Sequence, residues 1–266
     1  MSDDRPLETG WLTDTPVHDT VLRRFLFNQA DANDAIALAS GGHHDRTEAL
    51  AMADANGPVP YFNQAILMRP LTTIDDPALD EVENFYRGAS GRVRVLLSLW
   101  PTPDLSRRGW TLVGHPAFMV RGAHGVSFTP GDGVTVQRAT TAEALHEAER
   151  IAVEGYPLPE AKGLAPGRLF PAALLDTAVT MRLGFLDGDA VGAGACHVGH
   201  GVVNLCFAAT LPQARRRGVW EALVWARVND DPSLPAVAYT SDYSRPGFER
   251  MGFVPTIRFT LWAAAG

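Results

Sequence analysis

Apolar residues recur at helical spacing in "VLRRFLFNQADANDAIAL", which predicts a helix from about residue 21 with Val21, Leu22, Phe25 and Leu26 on one face. The polar stretch "SGGHHDRTE" interrupts it and reads as a loop. Its His43 and His44 lack partners at metal-ligand spacing and are expected to be exposed. A strand-like run "YFNQAILM" follows, then a helix "DDPALDEVENFY" with Pro77 in its first turn. Two further strands, "RVRVLLSLW" and "TLVGHPAFMV", flank the segment "TPDLSRRGW". The glycine-rich stretch at 121–133, "RGAHGVSFTPGDG", reads as a linker.

Beyond the linker the pattern starts again. "VTVQRAT" alternates as a strand. The next helix places Leu145, Ala148, Ile151 and Ala152 on its apolar face, with Thr140 or Thr141 as cap. A Pro/Gly-rich loop, "YPLPEAKGLAPG", leads to a short predicted helix around "LFPAALLDTA". Three strands then form a meander, "TMRLGFL", "AVGAGACHV" and "VVNLCFAAT", joined by the hairpin turns "DGD" and "GHG". A helix from about Gly218 to Val228 turns Val219, Leu223, Val224 and Val228 to the core, and Asn229-Asp230-Asp231-Pro232 stops it. The strand "AVAYTS", a short helix "RPGFERM" and the strand "GFVPTIRFTLW" complete the chain.

The two halves end alike. "VRVLLSLWPTPDLSRRGWTLVGHPAFMV" and "AVAYTSDYSRPGFERMGFVPTIRFTLW" each read strand, loop, short helix, Gly-aromatic, strand, with Gly109-Trp110 matching Gly252-Phe253. Working backward, "YFNQAILM" takes the place of "VVNLCFAAT", and the helix at 75–87 that of the helix at 218–228. This is the signature of a tandem duplication. It divides the chain into residues 1–122 and 134–266.

Composition narrows the class. The 266 residues are 46% hydrophobic and 20% charged, ordinary for a well-packed globule, and the formal charge of −7 argues against a general nucleic-acid binder. Cys196 and Cys206 are too sparse for a disulfide scaffold or a metal cluster and read as buried free thiols. The opening "MSDDRPLETG" lacks an export signal, and no apolar run approaches the roughly 18 residues of a membrane span. A cytoplasmic protein with no metal, no membrane and no nucleic-acid partner is expected.

Against this acidic background, "QARRRGVW" (213–220) concentrates three arginines and a glycine where a helix begins. A helix start leaves unpaired N–H groups and a partial positive charge. Glycine lets a phosphate come close, and arginines add charge-assisted bonds. The stretch resembles the pyrophosphate loop of the Gcn5-related N-acetyltransferase (GNAT) superfamily, [Q/R]-x-x-G-x-[G/A], departing from it only at Trp220. "FAATLPQARRRGVWEALVWARV" is similar to the family's acetyl-CoA-binding strand-loop-helix, and "SDYSRPGFERMGF" to its second signature.

The resemblance implies an α+β protein of two tandem GNAT-like domains, each a mixed, mostly antiparallel twisted sheet flanked by helices. The first copy is degenerate: its "IDDPALDE" is acidic where the second copy has arginines. The implied substrate is acetyl-CoA, with transfer to the amine of a small-molecule acceptor. The resemblance implies that Phe207, Ala208 and Ala209 hold the thioester end. Arg215, Arg216, Arg217, Gly218, Val219 and Trp220 would hold the diphosphate, with Ser241 and Ser244 touching CoA. Phe248 stands where many members carry the tyrosine that protonates the leaving thiolate, and phenylalanine has no proton to give. Tyr243 is the nearest substitute in sequence. His197 is a candidate base, and Glu154, Glu160 and Asp242 are candidates for binding a cationic acceptor or acting through water. Phe248 keeps open another acyl-CoA reaction, such as O-acylation or decarboxylation, or a non-catalytic CoA-binding module. A homodimer also stays open.

Overall fold

The computed structural model describes residues 20–88, 92–156 and 158–265. The amino half comprises α1 (Val21–Ala39), β1 (His43–Arg46), β2 (Leu50–Asp54), β3 (Asn63–Leu67), α2 (Pro77–Phe85), β4 (Val93–Ser98), β5 (Thr111–Gly114) and β6 (Ala117–Arg121). The carboxy half comprises β7 (Val134–Arg138), α3 (Ala142–Gly155), β8 (Val179–Leu186), β9 (Asp189–Gly199), β10 (Val202–Thr210), α4 (Val219–Val228), β11 (Ala236–Thr240), α5 (Arg245–Arg250), β12 (Val254–Arg258) and β13 (Thr260–Ala265).

Helix starts follow their caps. Thr20 and Thr141 accept from the amides of Arg23 and Ala144 through their hydroxyls. The expected apolar faces of α3 and α4 are buried. Glycines set how closely α4 lies on its sheet. A Cβ at Gly192 would fall 2.7 Å from Val219 and 2.8 Å from Leu223, and one at Gly184 2.7 Å from Val219. The "GAG" of β9 is therefore a bed for a helix.

Three local readings are corrected. The stretch at 40–48, expected as loop, contains β1. All four of its residues are exposed, so it carries no apolar alternation to reveal it. β2 went unrecognised because all five of its residues are buried and show no alternation. The predicted helix near 172 is a single 3₁₀ turn, Ala172–Asp176.

Two mixed sheets result, with orders β1-β2-β3-β4-β13-β5 and β12-β6-β11-β10-β9-β8-β7. Their pairings mirror each other. β3 runs parallel to β4 as β10 runs parallel to β11, and every other pairing is antiparallel. Gly109 and Gly252, matched in the repeat, both adopt a left-handed φ of 79°.

The halves nevertheless exchange a strand. "TLVGHPAFMV" is two strands rather than one: β5 stays in the first sheet while β6 pairs with β11 and β12 of the second. "GFVPTIRFTLW" likewise splits, with β12 in the second sheet and β13 between β4 and β5 of the first. The two crossings touch, since the Phe259 amide donates to Pro116 O at 3.0 Å. Phe25, Phe118, Tyr239 and Phe259 pack around this point. A division at 122/134 follows the chain, whereas hydrogen bonding crosses it. No helix among the described residues is long and apolar enough to cross a membrane.

Candidate active site

The parallel strands β10 and β11 pair only at Val203↔Ala236 and Asn204↔Val237. Both continue beyond that point, β10 through a bulge between Asn204 and Phe207, and they separate as they go. A cavity of about 400 Å³ occupies the divergence. In the first sheet β3 and β4 pair from Gln64↔Val95 to Ile66↔Leu97, nearly to both strand ends, so no comparable gap opens there.

Both halves build the walls. Phe207 and Ala208 line the cavity from β10, Ser241 and Ser244 from the turn after β11, and Trp220 and Phe248 from α4 and α5. The Ser241 and Ser244 hydroxyls lie 3.0 Å apart. Gln29, Asn33, Tyr61, Phe62 and His115 come from the amino half. A buried amide relay sets the position of the first two. Asn204 donates to Gln29 at 2.9 Å, Gln29 to Asn33 at 2.9 Å, and Asn33 to Gln64 at 2.8 Å, which ties β10 to β3 through α1. Opposite, the buried Glu149 carboxylate accepts from the amides of Gly167, Leu169 and Phe170. That fixes Phe170 against Phe62 and Phe207, with ring centroids 6.1 and 6.0 Å apart.

Outside the strands, Gly218 caps α4 with φ 84°, no side chain bonds there, and a Cβ at this position would meet nothing within 4 Å. The approach to the uncapped amides of 219–221 is open. The corresponding helix in the amino half is closed off: the buried Asp76 carboxylate caps α2, accepting from Ala78 N at 3.1 Å and from both guanidinium arms of Arg69. The Arg69 guanidinium holds Asp76 far below the usual carboxylate range. A built-in anion stands where a ligand phosphate would lie.

The three arginines divide. Arg215 is tied to the carbonyls of Thr210 and Gly155 at 3.3 and 2.9 Å and anchors the loop. Arg216 and Arg217 face solvent, with Arg217 3.8 Å from Asp187. Val219 is buried, as is Ala209 at the far end of β10. Trp220 replaces a small residue of the motif because Gly247 yields the space. A Cβ on Gly247 would lie 2.7 Å from the indole, which packs edge-on against Phe248 with centroids 5.1 Å apart.

Of the residues expected to do chemistry, His197, Glu154, Glu160 and Tyr243 lie outside the cavity lining. His197 is buried beside α1, where its own carbonyl accepts from Asn28 and burial pulls its pKa down, and it does not line the cavity. Glu154 is exposed and paired with Arg150 at 2.9 Å. Tyr243 is 87% exposed. Glu160 also lies outside the cavity lining. Asp242 does line it, bridged to Arg258 at 2.6 Å.

Sequence reasoning missed His115, Tyr61, Tyr156, Tyr239 and Arg227. His115 sits in the crossing from β5 to β6. Its Nδ1 lies 3.3 Å from Phe259 O, and since a carbonyl only accepts, this bond puts the proton on Nδ1 and leaves the lone pair on Nε2. Burial raises the pKa of Tyr156 and Tyr239, keeping both as hydroxyl donors. It also pushes the Cys206 thiol up to about 12, so that thiol is no nucleophile.

With this geometry established, comparison places the architecture. Among solved structures the chain is similar to a GCN5-related N-acetyltransferase from Kribbella flavida, at 19% identity over 92% of this chain and 96% of that one, with a TM-score of 0.64. It is also similar to a putative GNAT-family acetyltransferase from Novosphingobium aromaticivorans (12% identity, 91% and 99% covered, TM-score 0.55). A third is a GCN5-related N-acetyltransferase from Sphaerobacter thermophilus (12% identity, 97% and 96% covered, TM-score 0.55). No family model matches the sequence, and no curated protein matches it significantly. The likenesses span both halves and establish the fold. The chain shares the fold of these acetyltransferases, with two mixed sheets flanked by helices.

Proposed function

We propose that the protein is a CoA-dependent acyltransferase, moving an acetyl group from acetyl-CoA to the amine of a small molecule in the cavity between its halves. The observation that carries this reading is the divergence of β10 from β11, which opens a cavity beside the uncapped start of α4 in the carboxy half alone.

The residues present fit acyl-CoA. The amides after Gly218, with Arg216 and Arg217 near them, would take the diphosphate. The groove past Trp220, Ser241, Ser244 and Phe248 leads to Phe207 and Ala208. When bound, acyl-CoA supplies an activated thioester. The chain supplies proton handling. Nε2 of His115 accepts the proton of the attacking amine. Tyr156, whose ring centroid lies 6.3 Å from that of Phe207, donates toward the leaving sulfur in place of the tyrosine missing at 248. The only carboxylate among the described lining residues is Asp242, already neutralised by Arg258. Aromatic faces therefore select the acceptor, and a polycation is disfavoured.

The test is to incubate the purified protein with acetyl-CoA and a panel of aromatic and aliphatic amines while following free thiol. Amine-dependent thiol release, with kcat falling at least tenfold in His115→Gln while CoA affinity is retained, supports the reading. Failure to bind CoA at all would sink it.

A further inference from the structure

Arg227 lies on α4 in the same stripe as Val219 and Leu223, and turns under the sheet at the floor of the cavity. Gly194 makes room for it, since a Cβ there would sit 3.0 Å from the guanidinium carbon. Its Nε donates to Leu223 O at 2.9 Å. Its Nη1 reaches Ala195 O at 3.1 Å and Phe207 O at 2.7 Å, across the β10 bulge. Nη2 has no hydrogen-bond partner among the described residues, although Arg227 is only 1% exposed.

A buried guanidinium is normally matched by a carboxylate, because an unpaired charge and an unpaired donor are both costly away from water. Here all three bonds go to neutral carbonyls. Asp230, the nearest acid in sequence, is committed elsewhere, to Arg182 and to the Cys196 thiol. Burial lowers the Arg227 pKa to about 10, which leaves it charged at neutral pH. Small side chains accompany Arg227 in the cavity lining: Ala195, whose carbonyl it bonds, with Ala208 and Ala238.

We infer that Arg227 is the anchor of a carboxylate subsite at the cavity floor, so that one of the two reactants carries a carboxylate. That group is either the far end of the acyl chain or a substituent of the acceptor, and the two share one chemistry: a planar anion meeting the second arm of a guanidinium fork. The inference rests on reading the cavity as the acyl-transfer site.

The experiment has a donor arm and an acceptor arm, and both begin with the unaltered protein. Calorimetry compares malonyl- and succinyl-CoA with propionyl- and butyryl-CoA, alongside CoA itself. Turnover with acetyl-CoA then compares phenylalanine with phenethylamine, and further amino acids with their decarboxylated amines. A preference of about tenfold or more for the carboxylate-bearing member on either side is expected, and the arm that shows it identifies the source. Arg227→Gln, checked by its melting curve and its retained affinity for CoA, should abolish that preference, the carboxylate-bearing member losing about tenfold or more relative to its uncharged analogue. CoA binding with no carboxylate preference in either arm, or a preference that survives in Arg227→Gln, overturns the subsite alone. Absence of CoA binding overturns the acyltransfer reading and the subsite with it.

Discussion

Gly218 separates binding from folding better than any other position in the loop. Its φ of 84° is left-handed, a conformation that costs an L-residue about 1–2 kcal/mol. A side chain there meets nothing within 4 Å, so no packing penalty is added. Gly218→Ala and Gly218→Asp should thus lose similar stability, a fall in Tm of several degrees at most for a chain of this size. Their affinities for CoA should part. Alanine brings only a methyl group toward the bound diphosphate, whereas aspartate adds a negative charge. Two unit charges about 4 Å apart near a protein surface repel by about 4 kcal/mol, close to a thousandfold in Kd. Calorimetry with CoA, paired with melting curves, reads both effects. A folded Gly218→Asp protein that binds CoA within threefold of Gly218→Ala would refute the placement of the diphosphate.

Gly247→Ala should destabilise by roughly 1–3 kcal/mol through contact with the indole, and Trp220→Ala in the same chain should relieve most of it; additive denaturant melts would count against that coupling. Asp76 has a depressed pKa when folded, so it stabilises above its unfolded value near 4, and this contribution is lost as pH falls through the folded value. Urea melts of Asp76→Asn should accordingly show a flatter acid limb than wild type, and an unchanged limb would disprove the link. With Tyr156 as proton donor, Tyr156→Phe should cost at least tenfold in kcat, whereas Phe248→Tyr should keep turnover within a few-fold and leave CoA affinity unchanged. The reverse ranking would assign the acid elsewhere.

The repeat was legible because its markers are local. Gly109-Trp110 and Gly252-Phe253 announce a left-handed cap and a buried ring, and both are written in adjacent residues. The open, glycine-capped turn before α4 was legible for the same reason. Strand exchange was not, because alternation within "TLVGHPAFMV" says which face is buried and nothing about which sheet receives the strand. Only Pro116 marks the break, and a proline also fits an edge strand. His115 and the amino-half wall went unseen with it. Arg227 left a fainter trace: it continues the i, i+4 stripe of Val219 and Leu223, opposite glycines at 192 and 194. His197 was favoured for its position at a strand end, but the face of β9 that it shares with Ala195 runs on past the cavity toward α1.

The crossing of β6 and β13 reaches beyond the site. Val93 cannot find its neighbour until Ala265 has been made, so β4 must wait, one edge unfilled, until β13 has left the ribosome. The halves then mature as a single event, and the large sequence separation of the paired strands argues for slow closure. Expressing either half alone would leave one sheet short of a strand and the other strand without a home. A protease nicking the 121–133 linker of the finished protein would release nothing, because each fragment is stitched into its partner's sheet.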